Sequence, residues 1–196
     1  MVQKAAAKRG RPPKFDREVV ISAAIGAFFE KGYENTTLAD LETATGVDRS
    51  TLYNSFDGKA GLYALATTTY LENAELWLFE PLHHGDREGY GDLLEFLARL
   101  RLGLTSPEAI PGCLIVNDMA AQTAPDAAAH YRQRIEGGLV AALERAADPT
   151  AAERASLLTA SILGVNLVSK MTADPDEIGR HIDAMIATVE GWQAAA

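Results

Sequence analysis

A single cysteine, Cys113, occurs in the 196 residues, so no internal disulfide can form; this usage suits a reducing, cytoplasmic setting. Long hydrophobic runs are also missing. The most apolar stretch, residues 157–168, contains Thr159, Ser161 and Asn166 and is shorter than the ~20 apolar residues that span a bilayer, so it predicts a buried helix and no membrane partner. The N-terminus is basic but lacks the apolar segment of a signal peptide. Nowhere does apolar and polar character alternate with period two for long enough to argue a strand. A phosphate-cradling glycine loop, a Gly-x-Ser-x-Gly elbow and a His-Glu-x-x-His zinc helix are all lacking. The adjacent His83 and His84 have no carboxylate or thiol at ligand spacing. No catalytic residue, metal or cofactor is therefore expected, and an all-α enzyme with scattered groups stands only as a rival reading.

Positive charge is scarce overall, with a formal net charge of -9. Its distribution is uneven. Residues 1–60 hold nine Lys/Arg against eight Asp/Glu, whereas residues 61–196 hold nine against nineteen. An acidic rear behind a balanced front suits a protein that offers one face to a polyanion, although acidic surface also serves plain solubility.

What is present is concentrated in residues 36–59. Thr37 and Asp40 have the spacing of a capping box, Leu38 and Leu41 follow on one helical face, and Gly46 stands where a left-handed residue ends a helix. Val47 then supplies an apolar plug and Asp48 a second cap. Leu52 and Phe56 are four apart on the inner face of the next helix, leaving Arg49, Ser50, Tyr53 and Asn54 outward. Two short helices joined at a glycine, the second with a polar outer face, predict a helix-turn-helix whose second helix fits a DNA major groove about 12 Å wide. The order Gly-Val-x-Arg-Ser-x-Leu-Tyr-x-x-Phe-x-x-Lys, Gly46 through Lys59, resembles the DNA-binding signature of the TetR/AcrR family of transcriptional regulators. The resemblance covers roughly residues 15–65. It implies an all-α regulator with an N-terminal three-helix DNA-binding domain and a C-terminal helical domain for ligand binding and dimerisation.

Three parts are expected: a basic arm over residues 1–14, a DNA-binding domain over 15–60 and an effector and dimerisation domain over 61–196. The arm carries no acid, and its Arg9-Gly10-Arg11-Pro12 looks like an AT-hook core able to enter a narrow A·T minor groove. Asp16 caps a first helix with Val20, Ala23, Ala24, Ala27 and Phe28 at helical spacing, and Gly32 stops it. Arg49 carries donors matching guanine O6 and N7, while Ser50, Thr51 and Asn54 can bond base edges or phosphates. By resemblance, Tyr53 and Lys59 grip the DNA backbone; Thr37 joins the DNA-binding set from the start of the preceding helix. Glu42 and Thr45 depart from the small residues many relatives carry before the turn.

Beyond Gly61 a long helix runs to Pro81, a loop follows over residues 85–91, and Asp92 with Glu95 reads as a capping pair for the next helix. Further helices open after residue 112, at Pro125 and behind the Asp-Pro pairs at 148–149 and 174–175, making roughly nine in all. In the last two, residues 150–171 and 175–192, one side carries Ala152, Ser156, Thr159, Ala160, Leu163, Gly164 and Leu167, and the other helix Ile178, Ile182, Met185 and Val189. These sides are expected to pair with their copies in a homodimer, as the resembled family dimerises; the alternative is that they close the chain's own core, and both can hold because Leu158, Ser161 and Ile162 lie on other faces. Trp77, Phe96, Leu100, Cys113, Asn117, Met119 and Tyr131 are candidates for an effector pocket. Residues 112–114 are similar to a Gly-Cys-Leu stretch in one branch of the family, where some cysteines sense electrophiles; with no neighbouring Lys or Arg, Cys113 reads as a core residue. The expected function is a sequence-specific regulator binding a palindromic double-stranded DNA operator, a repressor released by a small molecule. The alternative is a constitutive DNA-binding or helical interaction module without effector.

Overall fold

The computed structural model describes residues 15–85, 88–107, 109–121, 125–172 and 174–196, and within α7 and α8 the side chains of residues 118–127 fall outside that description. The arm with Arg9 and Arg11, and the side chain of Met119, therefore lie outside the described residues. Every regular element described is a helix: α1 (Arg17–Asn35), α2 (Leu38–Thr45), α3 (Arg49–Phe56), α4 (Gly58–Trp77), α5 (Glu80–His84), α6 (Tyr90–Thr105), α7 (Leu114–Ala121), α8 (Pro125–Arg145), α9 (Ala151–Thr172) and α10 (Pro175–Ala194). The helix beyond the expected nine is α5. Pro81 ends the path of α4, as its missing amide requires, yet the same ring is tolerated in the first turn of a new helix, and α5 starts around it.

Two cores organise the chain. In the first, Val20, Ala24 and Phe28 of α1 meet Leu41 of α2, Leu52 and Phe56 of α3 and Leu62 of α4, all essentially buried. Each large side chain placed there contributes roughly 1.5–3 kcal/mol relative to exposure. The second gathers Phe79, Phe96, Leu97, Ile135, Leu139, Ile162 and Ile182, with α6 laid along α10 and α8 along α9. Helix α4 belongs to both: Leu62 and Ala66 sit in the first core, and Tyr70 packs against each. Leu114, at the start of α7, reaches back into the first core, so the two are also joined away from α4.

Two local expectations need correction. Asp92 does not cap α6 from outside; Gly89 holds the cap position and Asp92, inside the first turn, accepts the Gly89 amide at 3.3 Å. The carboxylate is fully buried, and the Arg145 guanidinium donates to it at 2.8 and 3.2 Å while also reaching the Leu82 carbonyl at 3.1 Å. A charge-assisted pair thus ties the end of α8 to α5 and α6, a long-range demand that local spacing does not display. The second correction concerns α10: Ile178, Ile182, Met185 and Val189 all close this chain's own core. Helix α9 is long and apolar enough to cross a bilayer by length and composition, but seven of its residues, Leu158, Ile162 and Val165 among them, are buried within the protein.

Candidate nucleic-acid interface

Local chemistry sets the first helices. The Asp16 carboxylate accepts the Glu18 amide at 2.9 Å, and α1 runs regularly until Gly32, whose φ of 74° interrupts it before one more turn. At the start of α2 the capping box forms as its spacing predicts: Thr37 Oγ1 accepts the Asp40 amide at 3.2 Å, and the Asp40 carboxylate accepts the Thr37 amide at 2.8 Å. Lys31 adds an ammonium at 2.6 Å from Asp40, and its hydrogen bond, with those of Thr37, holds the Asp40 carboxyl well below the usual carboxylate range. Gly46 then takes φ 70° and ends α2. A side chain there would meet steric cost from its own backbone, which is why glycine suits the turn.

Asp48 caps α3, its carboxylate accepting the Thr51 amide at 2.7 Å; that bond lowers its pKa. Glu42, the departure from the resembled pattern, has a definite place: its carboxylate accepts the Arg49 amide at 2.8 Å and lies 3.7 Å from the Arg49 guanidinium. The last turn of α2 therefore holds the first turn of α3. Leu52 and Phe56 anchor the inner face, while Arg49, Ser50, Tyr53 and Asn54 are exposed and Thr51 is half-buried. Asn54 donates to Ser50 Oγ at 3.1 Å, so the two polar side chains one turn apart are held together on the outer face.

Tyr53, 56% exposed, lies with its ring against Gly58, where an added Cβ would come within 3.0 Å of Cε1. Glycine at that position, φ 69°, lets the ring lie down across the start of α4. Lys59 is in the first turn of α4 as expected, with its ammonium 4.3 Å from the centre of the Tyr33 ring and 3.2 Å from the Glu34 carbonyl. Thr37 is exposed at the head of α2. A residue that sequence reasoning passed over is Arg17: it donates to the Ser55 carbonyl at 2.9 Å and stacks 4.8 Å over Phe56, bringing a cation from α1 to the end of α3. Nothing in its local spacing marks it.

Behind this face lies a cavity of about 490 Å³, bounded by α1, α4, α6, α8, α9 and the segment before α7. Trp77, Leu100, Cys113 and Tyr131 line it as expected. Phe96 does not; it is fully buried and stacks on Phe79 with ring centres 6.0 Å apart. Asn117 is not among the lining residues either. Missed by the sequence reading are Ile25 and Phe29 of α1, Tyr70 and Asn73 of α4, and Asn166 of α9. Only Asn166 left a signal, as a polar interruption in the most apolar run.

The family model for bacterial regulatory proteins of the tetR family matches residues 20–66, which include α2, the Gly46 turn and α3 with its outward polar face. The chain belongs to the TetR family. Among its relatives, the uncharacterised HTH-type transcriptional regulator YezE of Bacillus subtilis is 28% identical over 92% of this chain and 100% of its own length. The HTH-type transcriptional repressor ComR of Escherichia coli is 33% identical over 56% of this chain, an alignment that spans about half of ComR, 52%. In fold, the chain is similar to a cysteine mutant of the TetR family regulator CifR complexed with 26 bp double-strand operator DNA: TM-score 0.78, 24% identity, 91% of this chain and 98% of that one. The reduced form of NemR from Escherichia coli is similar at TM-score 0.73 and 19% identity, over 89% and 95%.

For this TetR-family chain, α9 leaves open the face expected of it except at Thr159, with Ala152 and Ser156 also exposed, whereas α10 leaves open a different one. Thr159 and the four apolar residues of α10 are buried inside, whereas Ala160, Leu167 and, in part, Leu163 and Gly164 remain accessible. The open groove between the two helices, about 420 Å³, is lined by Leu157, Ser161, Gly164 and Val168 from α9 and by His181, Ala184 and Thr188 from α10. Leu157 at 55% and Met171 at 85% exposure extend the apolar surface along α9.

Proposed function

We propose that this DNA-binding transcriptional regulator is a homodimeric, cytoplasmic repressor that leaves its operator when a small molecule occupies the cavity behind the DNA-reading unit. The observation that carries the reading is the outer face of α3, where Arg49, Ser50, Tyr53 and Asn54 are exposed to solvent above the buried Leu52 and Phe56. Arg49 is assigned to base edges, with Ser50, Thr51 and Asn54 beside it. Tyr53, Lys59, Thr37 and Arg17 are assigned to phosphates, and Arg9 and Arg11 to the adjoining minor groove. The naming of ComR as a repressor and the operator complex of CifR support the sign and the target.

Dimerisation through the α9–α10 groove would set two reading helices against half-sites about 34 Å apart. The small residues Gly164, Ser161 and Ala184 permit a second copy's helices to approach closely. Release follows from what walls the cavity. Phe29 of α1 and Tyr70 of α4 line it and also pack on each other, ring centres 6.2 Å apart. A ligand that favours a different setting of these rings shifts the population away from the DNA-competent spacing.

The test is recovery and sequencing of genomic fragments bound by the purified protein. A palindromic site enriched by the native chain and lost with Arg49→Ala supports the reading, whereas equal recovery of all DNA by both proteins would remove α3 from sequence recognition. The rival without an effector is disfavoured by the cavity, which falls in the ~300–1,000 Å³ range of small-molecule sites.

A further inference from the structure

We propose that the molecule occupying the cavity is an uncharged aromatic ketone or a close equivalent, held without covalent bonding, its carbonyl accepting a hydrogen bond from Tyr131 at the end of a Tyr70–Cys113–Tyr131 relay. This rests on the reading of the cavity as the effector site. Three observations carry it.

First, no charged side chain lines the cavity among the described residues. Burying an ion without a partner is costly, so the site selects a neutral guest. Second, the walls that would hold a flat ring are aromatic: Phe29, Tyr70, Trp77 and Tyr131. Offset and edge-on ring contacts favour aromatic guests beyond simple burial.

Third, beside the amides of Asn73 and Asn166 and the hydroxyl of Ser106, three of the polar lining groups form a chain. The Tyr70 hydroxyl lies 3.3 Å from Cys113 Sγ, and Cys113 Sγ lies 3.6 Å from the Tyr131 hydroxyl. With Tyr70 donating to sulfur and the thiol donating to the Tyr131 oxygen, the Tyr131 proton is left over; its hydroxyl has no other partner among the described residues. Burial pushes both phenols well above their ordinary range, so each stays a protonated donor. In that arrangement the Tyr131 proton is one that a guest's carbonyl can accept. Cys113 itself is 2% exposed, sits between the two hydroxyls and has no cation among the described cavity-lining residues to favour its thiolate. It is placed to pass a hydrogen bond, not to attack a guest.

Three probes of one shape separate these claims: 2-acetylnaphthalene, 2-naphthoate and 2-ethylnaphthalene, titrated into the full chain at neutral pH by calorimetry and by quenching of tryptophan fluorescence. The ketone should bind at least about 100-fold more tightly than the carboxylate and about tenfold more tightly than the hydrocarbon. Tyr131→Phe should erase the preference for ketone over hydrocarbon while circular dichroism stays unchanged. Cys113→Ser, which keeps a donor between the phenols, should preserve that preference, and mass spectrometry should find no adduct on Cys113 after incubation with the ketone. Equal binding of carboxylate and ketone, failure of all three to bind, or an unchanged preference in both Tyr131→Phe and a Tyr131→Leu control would overturn the proposal. Release of DNA is read separately: a ketone that binds with these preferences but leaves the protein on its DNA sinks the regulatory reading and leaves the ligand assignment standing.

Discussion

The two cores of this TetR-family chain are specified in different ways. Around the first, short helices begin and end on residues a few positions apart: Thr37 with Asp40, Gly46, Asp48 with Thr51. Around the second, the deciding contacts join distant parts of the chain, as where Arg145 meets Asp92 or Tyr90 meets Asp148 and Arg154. A unit built from local caps can present a fixed outer face with little help from the rest. One built from long-range packing can hold a cavity, because its walls come from six separate places in the sequence.

The contrast can be tested in order of expected effect. Leu52→Ala removes a fully buried side chain from the small first core and should cost about 2–5 kcal/mol, read by chemical denaturation. A loss below about 1 kcal/mol would mean that α3 is not anchored there. Arg49→Ala should leave stability nearly unchanged but weaken binding to the enriched operator by about 1–3 kcal/mol, with relaxed preference at the base pair it reads. An unchanged footprint would assign Arg49 to the Glu42 latch alone. Thr37→Ala removes the hydroxyl of the capping box and should cost about 0.5–2 kcal/mol.

Acid titration probes the second core. Burial alone would raise the Asp148 pKa, but hydrogen bonds from Tyr90, Thr150 and Arg154 outweigh it and lower the value to about 2. A carboxylate depressed in the folded state stabilises the fold above its unfolded pKa of about 3.9, and that contribution is lost as the pH falls from about 4 to about 2. Tyr90→Phe removes one of these donors and should move the acid-unfolding midpoint upward slightly. A midpoint that does not move would show that Thr150 and Arg154 suffice.

The helix-turn-helix, the polar outer face of α3 and the turn glycine were legible because each depends on residues within a turn or two of one another. Glu42 was visible only as an oddity, since its partner, the Arg49 amide, is seven residues away across the turn. Phe96 was read as a pocket wall and proved to be core, because an apolar residue on a helix has the same spacing whether it faces a cavity or a neighbour. The α10 face was misplaced for the same reason. Ile178, Ile182, Met185 and Val189 do form one apolar stripe, but a stripe carries no label saying whether α6 of the same chain or a second copy will cover it.

Caps, glycines and the polar outer face of α3 were thus settled by residues close in sequence, whose hydrogen bonds need no distant partner. Which apolar faces became core, which groove stayed open, and that Tyr70, Cys113 and Tyr131 stand in line around one cavity were decided by packing between helices. Burial rewards any apolar contact alike, and geometry in three dimensions selects among them.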